Sequence, residues 1–167
     1  VNTNTNEEFR AKKILLAIGR RGSPRQLNIT GEESEKVAYR LLEPENIHNK
    51  DIVVVGGGDS AIEAALSLAK QNKVMLSYRS EAFNRIKPKN RELIQKAEKT
   101  GELSIKYKSN LLAVEKEHVT LAMEDKKVEL KNDLVYIFAG GELPTQFLEK
   151  SGVKITKRFG YTLKKYG

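Results

Sequence analysis

Residues 51–78 read DIVVVGGGDSAIEAALSLAKQNKVMLSY, and the fold follows from this stretch. It opens on Asp51 to Val55, a short β-branched run of the kind that forms a strand buried on both faces. Gly56, Gly57 and Gly58 follow at once. Ala61, Ile62, Ala64, Ala65, Leu66, Leu68 and Ala69 then recur in a good helix-forming segment, with polar Glu63, Ser67 and Lys70 between them. Val74 to Tyr78 is a further strand-like run. Strand, glycine turn, helix and strand within 28 residues make a βαβ unit, whose parallel neighbours require a right-handed crossover.

The turn fits a G-x-G-x-x-A pattern on Gly56, Gly58 and Ala61. Each position has a mechanical reason: Gly56 for the tight exit from the strand, Gly58 so that backbone can lie against a pyrophosphate, and Ala61 for close packing of helix on strand. Amides at the helix start, with the positive end of its dipole, then face the phosphates. Asp59 or Ser60 is expected as the N-cap, and Ser60 as a further donor to phosphate. A bare glycine pattern is weak; this one follows a strand and opens a helix, which favours dinucleotide binding over a purely structural turn.

The end of the next strand selects the cofactor. An acidic residue there would take ribose hydroxyls, whereas an Arg suits a 2′-phosphate. The chain has Tyr78-Arg79-Ser80, then Arg85 and Lys87, and Glu81 is the nearest acid. Arg79 can make a forked contact with phosphate and stack on adenine, Ser80 can donate its hydroxyl, and Arg85 or Lys87 can close the other side. NADPH is therefore expected, with NADH as the alternative. Lys89, Arg91, Lys96 and Lys99 read as a solvated helix face.

Outward from this core, Lys13 to Ile18 is a short apolar run expected as a buried strand, part of a strand or hairpin over 1–20. Residues 21–50 read as a linker with a short one-sided helix over Glu35 to Leu42, stopped by Pro44. On the other side come a helix from Arg91 to Lys99, a strand from Leu103 to Tyr107, and an antiparallel meander between Leu111 and Leu130. Asp133 to Phe138 is another buried strand, ending in Ala139-Gly140-Gly141, and Thr145 to Lys150 a short helix after Pro144. The expected fold is α/β: a Rossmann-like three-layer domain with a central parallel sheet, in which an antiparallel three-stranded meander replaces one crossover. Residues 51–141 form the nucleotide-binding domain, and 142–167 a C-terminal segment with a basic tail.

Composition narrows the chemistry. At 167 residues the chain has room for one domain with a real core. It has no cysteine, which removes disulfides, thiolate nucleophiles, redox dithiols and cysteine-ligated metals. His48 and His118 lie far apart and read as surface residues, so no metal site is expected. Without an apolar run of roughly 20 residues, or a signal-peptide pattern at the front, the expectation is a soluble, cytoplasmic protein with no membrane partner.

The net charge of +8 is uneven. Residues 78–108 carry 9 basic and 4 acidic side chains, and 157–167 carry 4 basic and none acidic. Such charge invites nucleic acid, but only one Tyr and one Phe lie between 78 and 106 and no nucleic-acid motif is present, so none is expected as a partner.

With those residues in place, the chain resembles the pyridine-nucleotide domain of the thioredoxin-reductase-like flavoproteins, within the pyridine nucleotide-disulfide oxidoreductase superfamily. The likeness rests on KKILLAIGR (12–20), DIVVVGGGDSAIEAALSLA (51–69), YRSEAFNR (78–85) and DLVYIFAGG (133–141) and extends from about residue 10 to 155. It implies that the first stretch returns from a FAD domain, that the second and third bind NADPH, and that the fourth leads back, placing Ala139 and Gly140 among the cofactor-binding positions. Glu63 would lie nearest the nicotinamide ribose. No Cys-x-x-Cys lies between Arg20 and Lys50, so the likeness is to dithiol-lacking members, the ferredoxin-NADP reductases of this type and the bacillithiol disulfide reductase group. A FAD-binding domain elsewhere in the same parent chain is the implied partner, and the assembly is left open between monomer and homodimer. The competing expectation is a stand-alone NAD(P)(H)-binding sensor or regulatory domain without catalysis.

Overall fold

The structure, a computed structural model, describes residues 5, 7–13, 15, 24–124, 126–141 and 145–156. The chain divides into two compact units, 1–22 with 143–167, and 23–142.

The larger unit is built on the βαβ stretch. Strand β2 (Asp51–Val55) runs parallel to β3 (Lys73–Ser77) and to β8 (Leu134–Ile137), with Val55 opposite Ser77 on one side and Ile137 on the other. The parallel sheet has the order β1-β8-β2-β3-β4, with β1 (Val37–Ala38) and β4 (Ser104–Lys106) at its edges. Because strand side chains alternate, Ile52 and Val54 face one side and Val53 the other. The first side packs against α1 (Asp59–Ala69) and α2 (Pro88–Lys99), in a core that includes Ile62, Leu68, Leu76 and Ile94. The second packs Val53, Val135 and Ile137 against Leu111, Val114, Val119 and Leu121 of the antiparallel sheet β5-β6-β7 (Ser109–Val114, His118–Met123, Lys126–Lys131). Helices, parallel sheet and antiparallel sheet are thus three layers. The antiparallel sheet occupies the connection from β4, at one edge, to β8 on the far side of β2, as the sequence predicts.

Residues 35–42 depart from expectation. In place of a helix, Val37 and Ala38 form β1, parallel to β8, and only a 3-10 turn at Pro44–Asn46 follows. Val37 packs toward the antiparallel sheet, whereas Ala38 packs toward the helices. That two-sided use is a strand's period, and the open edge of β8 supplies a tertiary partner that outweighs local helix propensity. The Val135 N–H donates to the Lys36 carbonyl at 2.8 Å.

In the smaller unit, α3 (Thr145–Lys150) ends where the N–H of Gly152 reaches the Glu149 carbonyl at 3.0 Å and that of Val153 the Leu148 carbonyl at 2.9 Å. Gly152 takes the left-handed conformation, at φ +82°, that this paired C-terminal stop requires. The apolar run expected as a returning strand lies largely outside the described residues, and the basic tail entirely so.

Candidate functional site at the carboxyl ends of the parallel strands

The register that sets Val55 beside Ser77 and Ile137 brings Gly56, Tyr78 and Phe138 together one residue later. The Gly56 N–H donates to the Ser77 carbonyl at 3.0 Å, and the Phe138 N–H to the Val55 carbonyl at 2.7 Å. From β2 the chain proceeds to β3 and β4 on one side and returns to β8 on the other. Such a switch point, outside the carboxyl ends of the strands, is where open α/β sheets bind ligands.

The three glycines serve different ends. Gly56 has φ +147°, and a Cβ there would lie 2.7 Å from the Phe138 carbonyl oxygen and 2.9 Å from Ala61 Cβ. Both Gly56 and Ala61 are therefore small for packing. A Cβ on Gly57 would collide with the ring of Tyr78, which lies across it. Only Gly58 faces open space. It is also the N-cap of α1, with extended φ −100° and ψ 175°, so neither Asp59 nor Ser60, the expected caps, holds that position. By helix geometry the amides of Asp59 and Ser60 have no acceptor within the helix. Ser60 is exposed beside them.

Asp59 instead serves α2. Its Oδ1 accepts the Lys87 N–H at 2.9 Å and Asn90 Nδ2–H at 2.7 Å. The Lys87 amide first, and the Asn90 side chain second, hold the Asp59 carboxyl below the usual carboxylate range. The same Asn90 nitrogen donates to Glu63 Oε1 at 2.9 Å, and the Lys87 ammonium lies 3.9 Å from that oxygen. Lys87, expected to close over a phosphate beside Arg79, is thus engaged with α1.

At the end of β3, Tyr78 continues the strand's pairing: its N–H reaches the Lys106 carbonyl at 2.9 Å, and its own carbonyl accepts from Ser109 at 3.1 Å. Its ring stacks on Phe83 at 4.9 Å and 10°, and Phe83 in turn tilts against Tyr107 at 5.5 Å. Arg91, expected to be solvated, donates to the Phe83 carbonyl at 2.8 Å and ties the 79–87 loop to α2. Arg79 and Arg85 are exposed, and among the described residues neither has a hydrogen bond or ion pair. Ser80 is half-buried next to Arg79. Ala139 packs on the side of the antiparallel sheet, and the Gly140 carbonyl accepts the Arg25 N–H at 3.0 Å.

Neither Asn90 nor Phe83 is marked as functional by motif. Asn90 nevertheless shares the stripe of Ile94 and Ala97 at i, i+4 and i+7, and a polar residue on a buried stripe is the signal that could have found it. A concavity of about 490 Å³ elsewhere is lined by Lys36, Lys131 and Asp133 among others, at the amino ends of the strands. There Lys36 Nζ donates to the carbonyls of Asn132 at 3.1 Å and His118 at 3.3 Å, a structural tie remote from the turn. Among the described residues no cluster of side chains suited to a metal occurs, and no helix is long and apolar enough to cross a membrane.

A glycine turn opening a helix at the switch point of a parallel sheet defines the Rossmann-like class. Residues 1–165 match the family model described as pyridine nucleotide-disulphide oxidoreductase, and the chain belongs to that family of oxidoreductases. It is 28% identical over 159 residues to the bacilliredoxin reductase Bdr of Bacillus subtilis, covering 93% of this chain and 49% of that protein. It is 36% identical over 120 residues to a ferredoxin–NADP reductase of Rickettsia canadensis, covering 67% of this chain and 35% of that protein. The chain thus spans half or less of the length of these curated relatives. Among solved structures, the bacillithiol disulfide reductase Bdr of Bacillus cereus aligns with a TM-score of 0.76 at 29% identity, over 80% of this chain and 42% of that one. The thioredoxin reductase of Lactococcus lactis, at TM-score 0.68 and 24% identity over 79% of this chain and 46% of that one, shares the fold.

Proposed function

We propose that this chain is the NADPH-binding domain of a FAD-dependent pyridine-nucleotide oxidoreductase, holding the nicotinamide for hydride transfer to a flavin on a partner domain of the same protein. The observation that carries this is the pair Arg79 and Arg85, exposed and unpaired among the described residues beyond the end of β3, with no acid at the strand end to take a ribose hydroxyl. Names among the relatives, ferredoxin–NADP reductase above all, support the same cofactor.

The residues fit a dinucleotide. Gly58 leaves room where a Cβ would stand, and the α1 amides without an intrahelical acceptor would donate to a phosphate at the helix start. Gly56, Gly57 and Ala61 keep the turn closed beneath it, and Asp59 and Ser60 supply backbone donors, with the Ser60 hydroxyl as a third. Arg79, Ser80 and Arg85 would receive the 2′-phosphate, with the Tyr78 ring beside them and Lys87 at the loop's far end. Ala139 and Gly140 would border the dinucleotide beyond the end of β8, and Glu63 would accept from the nicotinamide ribose through Oε2, since Asn90 and Lys87 engage only Oε1. Bound by these residues, NADPH would supply a hydride for a flavin in the partner domain. This chain's residues bind, orient and exclude water, and none acts as acid, base or nucleophile.

Titration of the chain with NADPH and NADH, for wild type and Arg79→Ala, tests this reading. A forked, charge-assisted contact is expected to be worth about tenfold or more in NADPH affinity, with NADH little changed. Equal loss for both cofactors would overturn the 2′-phosphate assignment.

A further inference from the structure

The start of α1 carries an apparent contradiction. A helix N-terminus attracts phosphate, yet its first residue is Asp59, and Glu63 stands one turn on. Two carboxylates beside a pyrophosphate would oppose its binding unless their charge were drawn elsewhere. The structure shows where it is drawn. Asp59 Oδ1 lies within hydrogen-bond reach of the Lys87 amide, at the amino end of α2 and its positive dipole. Glu63 Oε1 lies beside the Lys87 ammonium. Between them is Asn90, only 6% exposed, whose single Nδ2 reaches Asp59 at 2.7 Å and Glu63 at 2.9 Å. An Asn amide nitrogen has two hydrogens, so one residue satisfies both carboxylates at once. A Leu or Ala would fill the stripe without donating to either.

We propose that Asn90 is a positioning residue of the dinucleotide site: it holds the Asp59 and Glu63 carboxylates against α2, so that the start of α1 presents amides to phosphate groups rather than a loose acid. This rests on the dinucleotide reading above, and it assigns to a residue on the neighbouring helix the task of making an acidic helix start compatible with an anionic ligand. Asn90 acts at the pyrophosphate end, which the two cofactors share, so it governs affinity for both and not the choice between them.

The experiment compares NADPH and NADH binding by wild type, Asn90→Ala, Asp59→Asn and the double variant, with circular dichroism and thermal melting to confirm folding. Asn90→Ala is expected to weaken both cofactors about tenfold, leaving the NADPH to NADH ratio unchanged. Adding Asp59→Asn to it is expected to restore most of that loss, because the neutral side chain no longer opposes phosphate; a scaffolding role alone gives no such rescue. If Asn90→Ala melts below the assay temperature, Asn90→Ser, whose one hydroxyl hydrogen can serve only one carboxylate, carries the same comparison. Wild type that bound neither cofactor would overturn the dinucleotide reading itself. Wild type that bound, with a folded Asn90 variant binding equally well or losing affinity that Asp59→Asn did not restore, would overturn the role of Asn90 alone.

Discussion

The motif expects different tasks of Gly56 and Gly58, and the physics at the two positions differs accordingly. Gly56 is squeezed between the Phe138 carbonyl and Ala61 at φ +147°, whereas Gly58 has extended backbone and open space around it. Gly56→Ala is therefore expected to destabilise the fold by about 2 kcal/mol or more, read by urea or thermal unfolding. Gly58→Ala should cost less, about 1 kcal/mol for replacing a favourable N-cap with a poor one, and weaken nucleotide binding as well. The distinct tasks expected of Gly56 and Gly58 are legible in the motif, but the need for glycine at 57, set by the Tyr78 ring, and the crowding of 56 by Phe138, more than 80 positions away in the chain, are not.

At the scale of elements, the segment before β1 shows how a connection becomes part of the core. Glu32, 8% exposed, accepts from the Tyr39 hydroxyl at 2.6 Å and from the amides of Leu27 at 2.8 Å and Ile29 at 3.3 Å. Burial alone would push its carboxyl up, but the bonds from Tyr39 and from the amides of Leu27, Ile29 and Asn28 outweigh that and hold it below the usual value. Burial and the neighbouring Glu32 push the Tyr39 hydroxyl up to about 12. A lowered carboxyl stabilises the fold above its unfolded value, and that stability is lost as pH falls through the folded one. A raised phenol stabilises below its unfolded value and fails as pH rises through about 12. Glu32→Gln should thus cost about 1–2 kcal/mol at neutral pH, in urea melts, with the difference from wild type shrinking once the Glu32 carboxyl is protonated in both the folded and the unfolded state. Helices α1 and α2, the meander and strand β8 were all readable from local sequence pattern. The helix predicted over 35–42 was not there, because β1 exists through its pairing with β8, about 100 residues on.

For the molecule as a whole, the charge that first suggested nucleic acid has one concentrated use in the proposed reading, around Arg79 and Arg85. Because both are exposed, their attraction for a 2′-phosphate is screened by salt. NADPH affinity is expected to fall more steeply than NADH affinity between low and physiological ionic strength, with the two slopes converging in Arg79→Ala; parallel slopes in wild type would count against the assignment. Family, fold class and the glycine turn were legible because they depend on signals a few residues apart: alternation along a strand, helical spacing, and the sterics of one turn. The absence of an acid at the end of β3 was equally local and already pointed to the cofactor. Tertiary structure alone decided that Arg91 ties down the basic loop, and that Asn90 joins two carboxylates 31 and 27 positions away. Those are contacts between separate elements, and a hydrogen bond is fixed by where folding places its two ends, not by their distance along the chain.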